Sequence, residues 1–264
     1  MIHYKTPEEI EILRESSLLV GSTLAELAEL IKPGLNTKVL DEVAEAYIRD
    51  HGAVPGFKGY HGFPNTLCIS INEQVVHGIP SNREIKEGDL ISIDCGTVKN
   101  GFHGDSAYSF SVVGMEEEVQ DLVIRTKESL YVGIEYAVKG NRIGDIGYHI
   151  QQYVEGYGYG VVRELVGHGL GRNLHEDPQV PNYGRRGKGN KLKEGMIIAI
   201  EPMITLGSRK IYQEEDGWTI RTFDRKPAAH FEHDIAITSS GTEILSSFEE
   251  IESRIEKNTY LLNL

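Results

Sequence analysis

A strand-like pattern that occurs twice, each time ending on an acid, constrains this chain more than any other feature. Lys86-Glu87-Gly88-Asp89-Leu90-Ile91-Ser92-Ile93-Asp94 aligns with Lys193-Glu194-Gly195-Met196-Ile197-Ile198-Ala199-Ile200-Glu201 at an offset of 107. At the same offset Tyr60-His61-Gly62 meets Gly167-His168-Gly169, and Lys38-Val39-Leu40-Asp41 meets Arg142-Ile143-Gly144-Asp145 at 104. Coincidence among Lys-Glu-Gly turns is the alternative, but three matches in one order favour two related halves. With about 150 residues per domain, 264 residues would allow two domains. No Ser/Pro-rich linker divides them, so the reading is a single α+β domain over 1–264. Its halves cover about 6–113 and 114–245 and share a central antiparallel sheet with helices outside.

Local signals agree with that order. Thr6-Pro7-Glu8-Glu9 is a capping box with proline at the first helical position. Ile10, Leu13, Val20, Leu24, Leu27 and Ile31 continue the helix at a period of about 3.5, broken only by Ser17. A second helix is predicted over Thr37–Asp50, and further ones near Glu116–Val138 and Ile143–Gly156. Strands are predicted at Leu67–Ile71, Leu90–Asp94, Ser106–Val113, Val161–Val166, Met196–Met203, Trp218–Thr222 and Glu232–Thr238.

Asp94 and Glu201 each close an apolar run, where a carboxylate is costly to desolvate without a cation or a proton. Asn100-Gly101 is a strong two-residue hairpin signal. That turn pairs Lys99 with Phe102 and sets Gly96 opposite Asp105. Asp94 and Asp105 then become diagonal neighbours on one face, within reach of a common ion. Solvent-exposed hairpin acids are the simpler alternative. His168, between two glycines, Glu201, and Glu232 in Phe231-Glu232-His233-Asp234 are the other candidates. Four carboxylates and one imidazole suit Mn, Fe, Co or Zn in a two-metal centre better than a lone structural zinc. Only two cysteines, Cys68 and Cys95, are present, which excludes a Cys₄ zinc site. Cys95, next to Asp94, points to the opposite face as a core residue.

At these residues the chain resembles the bacterial type I methionine aminopeptidases of the M24 "pita-bread" metallopeptidases, over about residues 1–250. The matching stretches are Gly59–Pro64, Asn72–Pro80, the Asp94/Asp105 pair, Gly167–Gly171, His175-Glu176-Asp177-Pro178 and Ile200-Glu201-Pro202. The resemblance implies the pita-bread fold and removal of an initiator methionine that precedes a small residue. It implies two divalent ions held by Asp94, Asp105, His168, Glu201 and Glu232, with Asp105 and Glu232 bridging. Two such ions hold a bridging water as hydroxide and polarise the scissile carbonyl. By the same resemblance Glu201 relays the water's proton, while His77 and His175 hydrogen-bond the substrate amide and the tetrahedral intermediate.

The family's methionine pocket maps onto Phe57, Tyr60, His61, Phe63, Cys68, Leu174 and Trp218; ordinary core aromatics are the alternative for each. His61 is assigned to the pocket wall, although the repeat aligns it with His168. Leu174 stands where many relatives carry an aromatic, and Phe57 where a small residue or cysteine is common. Of the other histidines, His230 and His233 flank Glu232, and either is a candidate for supporting the site. His103 is solvated or supports the site, and His3, His51 and His149 are surface groups.

Lys plus Arg (27) against Asp plus Glu (40) gives a net charge of −13, which argues against a dedicated nucleic-acid or anionic-membrane binder. No membrane span or signal peptide is legible, so a cytoplasmic protein is expected, and the resemblance implies a monomer acting on nascent N-termini. Two basic groups stand out. Arg185–Lys193 reads by default as a solvated loop. Arg209, Lys210, Arg221, Arg225 and Lys226 resemble a ribosome-facing segment, which suggests weak attraction to ribosomal RNA. The proline-directed M24 peptidases (aminopeptidase P and prolidase) share the five ligands but carry an extra N-terminal domain, and here the first helix begins by Thr6. Only 31 positions separate Glu201 from Glu232, too few for a type II insertion. A non-catalytic ribosome-binding relative should be basic and lack ligands, and this chain fails both tests.

Overall fold

Thr6 caps the first helix as its sequence requires: its hydroxyl accepts the Glu9 amide, and the Glu9 carboxylate accepts the Thr6 amide. In the computed structural model, which describes residues 1–264, helices α1 (Pro7–Leu30), α2 (Thr37–Asp50), α3 (Glu117–Tyr136), α4 (Ile143–Glu155) and α5 (Glu249–Ile255) surround short antiparallel sheets. Eight strands matter for the site. They are β1 (Leu67–Ile71), β2 (Leu90–Lys99), β3 (Phe102–Ser111), β4 (Gly167–Gly169), β5 (Glu176–Val180), β6 (Ile197–Ile200), β7 (Met203–Thr205) and β8 (His233–Ile237).

The hairpin signal set the register correctly. Asn100 and Gly101 take left-handed φ values of 51° and 80°, the mirror-image turn that a right-twisted hairpin needs. Lys99 pairs with Phe102, Gly96 with Asp105 and Asp94 with Ala107. On its other side β2 pairs with β1, with Cys68 opposite Asp94. In the second sheet the order is Thr242–Ile244, β8, β6, β4, β5, and His233 pairs with Ile200. Glu201 and Glu232 therefore lie just past the last pair of β6 and β8.

Helix α1 lies across β2 and β3, burying Leu13, Val20, Leu24 and Leu27 completely. Each such side chain contributes about 1.5–3 kcal/mol. Ser17, the break in the apolar period, is buried too, because the hairpin approaches α1 there. A Cβ on Gly104 would stand 2.4 Å from the Ser17 nitrogen. The close contact places Ser17 beside Asp105 and Asp234.

Several predicted boundaries move for physical reasons. The expected strand Met196–Met203 breaks at Pro202, which has no amide to offer a ladder. β6 and β7 consequently join different sheets, and Glu201 sits at the bend. Val161–Val166 keeps only Gly160–Val161 as strand, and Trp218 lies in the turn before Ile220–Thr222. Glu232 precedes β8 rather than opening it, with its amide donating to the Ala107 carbonyl at 3.0 Å. Tyr60-His61-Gly62 is an exposed 3-10 turn, with His61 at φ 48°, whereas Gly167–Gly169 is a buried strand. That part of the repeat match is not a structural equivalence.

Candidate metal centre

The register of β2 and β3 brings Asp94 and Asp105 together on the face that also carries Cys68, while Cys95 is fully buried on the other side. β4 supplies His168, and the bend after β6 supplies Glu201. Glu232 enters from the β8 side, where only 2% of its surface is exposed. Donor atoms of Asp105, His168 and Glu232 all lie within 4.8 Å of one another. His168 Nε2 stands 3.8 Å from Asp105 and 3.7 Å from Glu201. The other ring nitrogen, Nδ1, donates to the Gly169 carbonyl at 2.9 Å. This assigns the tautomer and leaves the Nε2 lone pair facing the acids.

Carboxylates this close and this dry are compensated by cations or by protons. Asp94 Oδ1, Asp105 Oδ1 and Glu232 Oε1 are buried without any hydrogen-bond partner. Orphaned oxygens of this kind cost about 1–3 kcal/mol each, or more when charged. Burial and mutual repulsion push the carboxyls of Asp105 and Glu232 well above the usual range, and burial does the same to Asp94. Burial works against Glu201 too, but the His230 and His168 rings outweigh it and hold its carboxyl below the usual range. The donor set of hard oxygens and one imidazole fits divalent cations, and the orphaned oxygens are where they would bind.

Three residues, His230, Asn182 and Asp234, support the ligands, and they were only partly legible. His230 Nε2 lies 3.6 Å from Glu201 Oε2, too long for a full hydrogen bond, so the ring acts chiefly through its dipole or charge. His233 turns away, stacking on Phe248 at 3.8 Å between centroids and bonding Ser246. The Asn182 side-chain amide donates to the Glu201 carbonyl at 2.8 Å. Asp234 Oδ2 accepts both the Ser17 hydroxyl and the Asp105 amide. Asp234 carries the same signal as Asp94, an acid inside an apolar strand; Asn182 carries none.

All the proposed pocket residues meet the same space. A cavity of about 270 Å³ is lined by Asp94, Asp105, His168, Glu201 and Glu232, and its walls include Phe57, Tyr60, His61 and Phe63. Cys68, His77, Leu174, His175 and Trp218 complete that wall, together with Val76, Leu165, Val166 and Met203, which sequence reasoning missed. The size suits one side chain rather than a large ligand. Phe63 and Trp218 meet edge to face at 5.1 Å. Phe57 seats its ring over Gly96, where a Cβ would stand 2.5 Å from Cε1. Tyr60 OH lies 2.9 Å from His175 Nδ1, and burial with the nearby His168 pushes His175 down to about 4, so its imidazole is neutral at physiological pH. His77 is also held neutral by burial and takes a left-handed φ of 58°. In a residue other than glycine that conformation stores strain, which tertiary contacts must hold. Gly78 beside it leaves only 2.2 Å from a built Cβ to the Ile69 carbonyl oxygen.

The model of metallopeptidase family M24 matches residues 11–239. Methionine aminopeptidase 1 of Bacillus subtilis is 51% identical over 246 residues, covering 93% of this chain and 99% of that protein. The crystal structure of methionine aminopeptidase from Thermotoga maritima superposes with a TM-score of 0.92 at 43% identity, over 94% of this chain and 100% of the other. A Xaa-Pro dipeptidase from Bacillus anthracis shares the fold alone, at 21% identity and a TM-score of 0.75, over 92% of this chain and 62% of that one. With four acids, Asp105 and Glu232 buried and Asp94 and Glu201 half-buried, and one imidazole around a single cavity, and with these likenesses over almost its whole length, the chain belongs to metallopeptidase family M24, among its methionine aminopeptidases.

Proposed function

We propose that the chain is a metal-dependent aminopeptidase that removes the initiator methionine from nascent proteins whose second residue is small. One observation carries this reading: the carboxylate cluster and the apolar, single-side-chain pocket are walls of the same cavity. Asp94, Asp105, His168, Glu201 and Glu232 would hold two divalent ions (Co, Mn, Fe or Zn). Bound there, the ions supply Lewis acidity for activating a water and polarising the scissile carbonyl.

The chain's own residues do the rest. Phe57, Phe63, Cys68, Leu174 and Trp218 surround the methionine side chain and exclude water, which strengthens every polar contact at the scissile bond. His175, with Nδ1 engaged by Tyr60, presents Nε2–H to the substrate amide as a neutral donor. His77 offers a second neutral imidazole to the same cavity. Glu201, kept ionised beside His230, receives the proton of the attacking water on a carboxylate oxygen and passes it toward the departing amine. The whole chain acts as one catalytic domain whose halves, about 6–113 and 114–245, each bring a pair of acids: Asp94 with Asp105, and Glu201 with Glu232.

No helix is long and apolar enough to cross a membrane. We read the protein as a cytoplasmic monomer that approaches nascent chains with weak ribosome contact and no sequence-specific nucleic-acid binding. Arg221 spends its charge in ion pairs with Glu73 and Glu214, which leaves Lys210, Arg225 and Lys226 exposed around Phe223, itself 69% exposed. Cations flanking an exposed aromatic suit RNA. Unchanged ribosome co-sedimentation after charge reversal at Lys210 and Lys226 would remove that contact.

The decisive experiment compares hydrolysis of Met-Gly-Met and a Pro-Gly substrate by metal-stripped protein and by protein reloaded with Mn or Co. Metal-dependent release of methionine is expected. Preference for proline would move the chain to the proline-directed branch, and no release would overturn the reading.

A further inference from the structure

The sheet that carries Glu201 and His168 ends on β5, whose outer edge pairs with no other strand. β5 starts one residue after His175, and the chain beyond it runs into the loop Tyr183–Asn190. Two clefts border β5. The first shares Val166, His168 and His175 with the cavity of the site. The second shares Met1, Asp177 and Gln179 with the first and reaches Arg185 and Lys188. A groove thus connects the rim of the site with a basic loop.

The chain's first residues set the charge along this path. Glu176 and Asp177 would make the groove acidic, but Lys5 pairs with Glu176, both side chains 5% exposed, and the Met1 ammonium pairs with Asp177. Arg185 and Lys188 remain, exposed and without a salt-bridge partner. Asp145, beneath the loop, is occupied by the amides of Arg142 and Gly187. The loop is fixed in place. The Gly144 amide donates to the Lys188 carbonyl and the Arg142 guanidinium to the Gly189 carbonyl, each at 2.9 Å. A Cβ on Gly144 would stand 2.5 Å from the Arg185 carbonyl oxygen. In a chain of net charge −13, two unpaired cations on a backbone-anchored loop give the far end of a groove leading from His175 a positive charge.

We propose that this groove is an extension subsite of the aminopeptidase, and the proposal rests on the function given above. A substrate leaving His175 lies extended along the free edge of β5, and acidic side chains some way beyond its first residues are drawn to Arg185 and Lys188. Main-chain contacts to a strand edge tolerate any sequence, while the cations add a preference. Pro178 removes one donor from the strand, which discourages a permanent partner there.

The test uses Met-Gly-Met lengthened by a Gly/Ser spacer, with Asp-Asp or Lys-Lys placed at increasing distances from the methionine. At low salt the best-placed acidic peptide is expected to show kcat/KM about three- to tenfold above its Lys counterpart, with the gap closing at high salt. Arg185→Glu combined with Lys188→Glu should abolish or invert the gap while Met-Gly-Met, too short to reach the loop, turns over as before. Equal efficiency of the two series in the unaltered enzyme, or a gap that survives in the double variant, would overturn the subsite. Failure of the metal-loaded enzyme to cleave Met-Gly-Met itself would separately overturn the aminopeptidase reading and the subsite with it.

Discussion

The Asp234 carboxylate accepts the Asp105 amide at 2.8 Å and the Ser17 hydroxyl at 2.6 Å. One buried side chain therefore ties a proposed metal ligand to helix α1. Asp234→Asn keeps the shape and removes the charge, so two opposite effects are expected. The metal-free protein should melt higher, because one repelling carboxylate leaves the cluster. Metal affinity should fall about tenfold, the usual scale for groups that orient ligands. Thermal melts in chelator and a metal titration read the two separately. Asp234→Ala instead strands a buried amide and a hydroxyl and should lower stability by about 1–3 kcal/mol for each.

The raised carboxyls make the stability of the metal-free protein depend on pH in an unusual direction. Burial pushes Asp234 up to about 7 from an ordinary 3.8, and Asp94, Asp105 and Glu232 shift the same way. In that window the folded state binds more protons than the unfolded one, so stability falls as pH rises. From Asp234 alone the loss between pH 4 and 8 is on the order of 4 kcal/mol. Chelator-treated protein should accordingly have a higher Tm near pH 5.5 than near pH 8. Bound metal compensates the ionised acids, so loading should raise Tm most at pH 8. A Tm of the metal-free protein that rises from pH 5.5 to 8 would contradict the buried cluster.

Asp105 and Glu232 each bring an orphaned oxygen to the same space. Alanine at either position should abolish turnover, because a proposed ligand is lost and the remaining donors cannot hold both ions. Steady-state assays with Met-Gly-Met and metal-content analysis check this, and near-normal activity in either variant would refute a two-ion centre.

Tyr60 OH stands 2.9 Å from His175 Nδ1, and in the proposed mechanism it donates there, leaving the imidazole proton on Nε2. Tyr60→Phe keeps the ring against His61 and the pocket but frees His175 Nδ1. We expect kcat to fall several-fold to tenfold with little change in KM for methionine peptides, whereas His175→Ala should cost about 10²–10³ in kcat. Equal losses in the two variants would mean that Tyr60 acts on the substrate directly.

Local chemistry was legible in the sequence wherever one short segment decides the outcome. Thr6 to Glu9 fixed the start of α1, and Asn100-Gly101 fixed the register that joins Asp94 to Asp105. What escaped depends on contacts across the chain. Asp234 meets Asp105 across 129 positions, and Asn182 meets Glu201 from a loop with no pattern of its own. His230 and His233 were indistinguishable until two separate strands, Ala228–His230 and β8, turned one toward Glu201 and the other onto Phe248. β5 was missed because Glu176-Asp177-Pro178-Gln179 is polar and contains proline, yet an edge strand tolerates both.

Phe57 and Gly96 offer the sharpest test of the pocket. Gly96 faces Asp105 across the hairpin and leaves the space that the Phe57 ring fills, so Gly96→Ala would place its Cβ 2.5 Å from the ring. The backbone of β2 is held by ladders on both sides and cannot yield, so the ring must move into the methionine cavity. We expect KM for Met-Gly-Met to rise about tenfold, with metal content unchanged because Asp94 and Asp105 keep their register. Phe57→Ala removes the obstacle, so the double variant should recover a KM clearly below that of Gly96→Ala alone while losing some stability from the emptied wall. If the double variant binds substrate no better than Gly96→Ala, the effect lies in the hairpin and not in the ring.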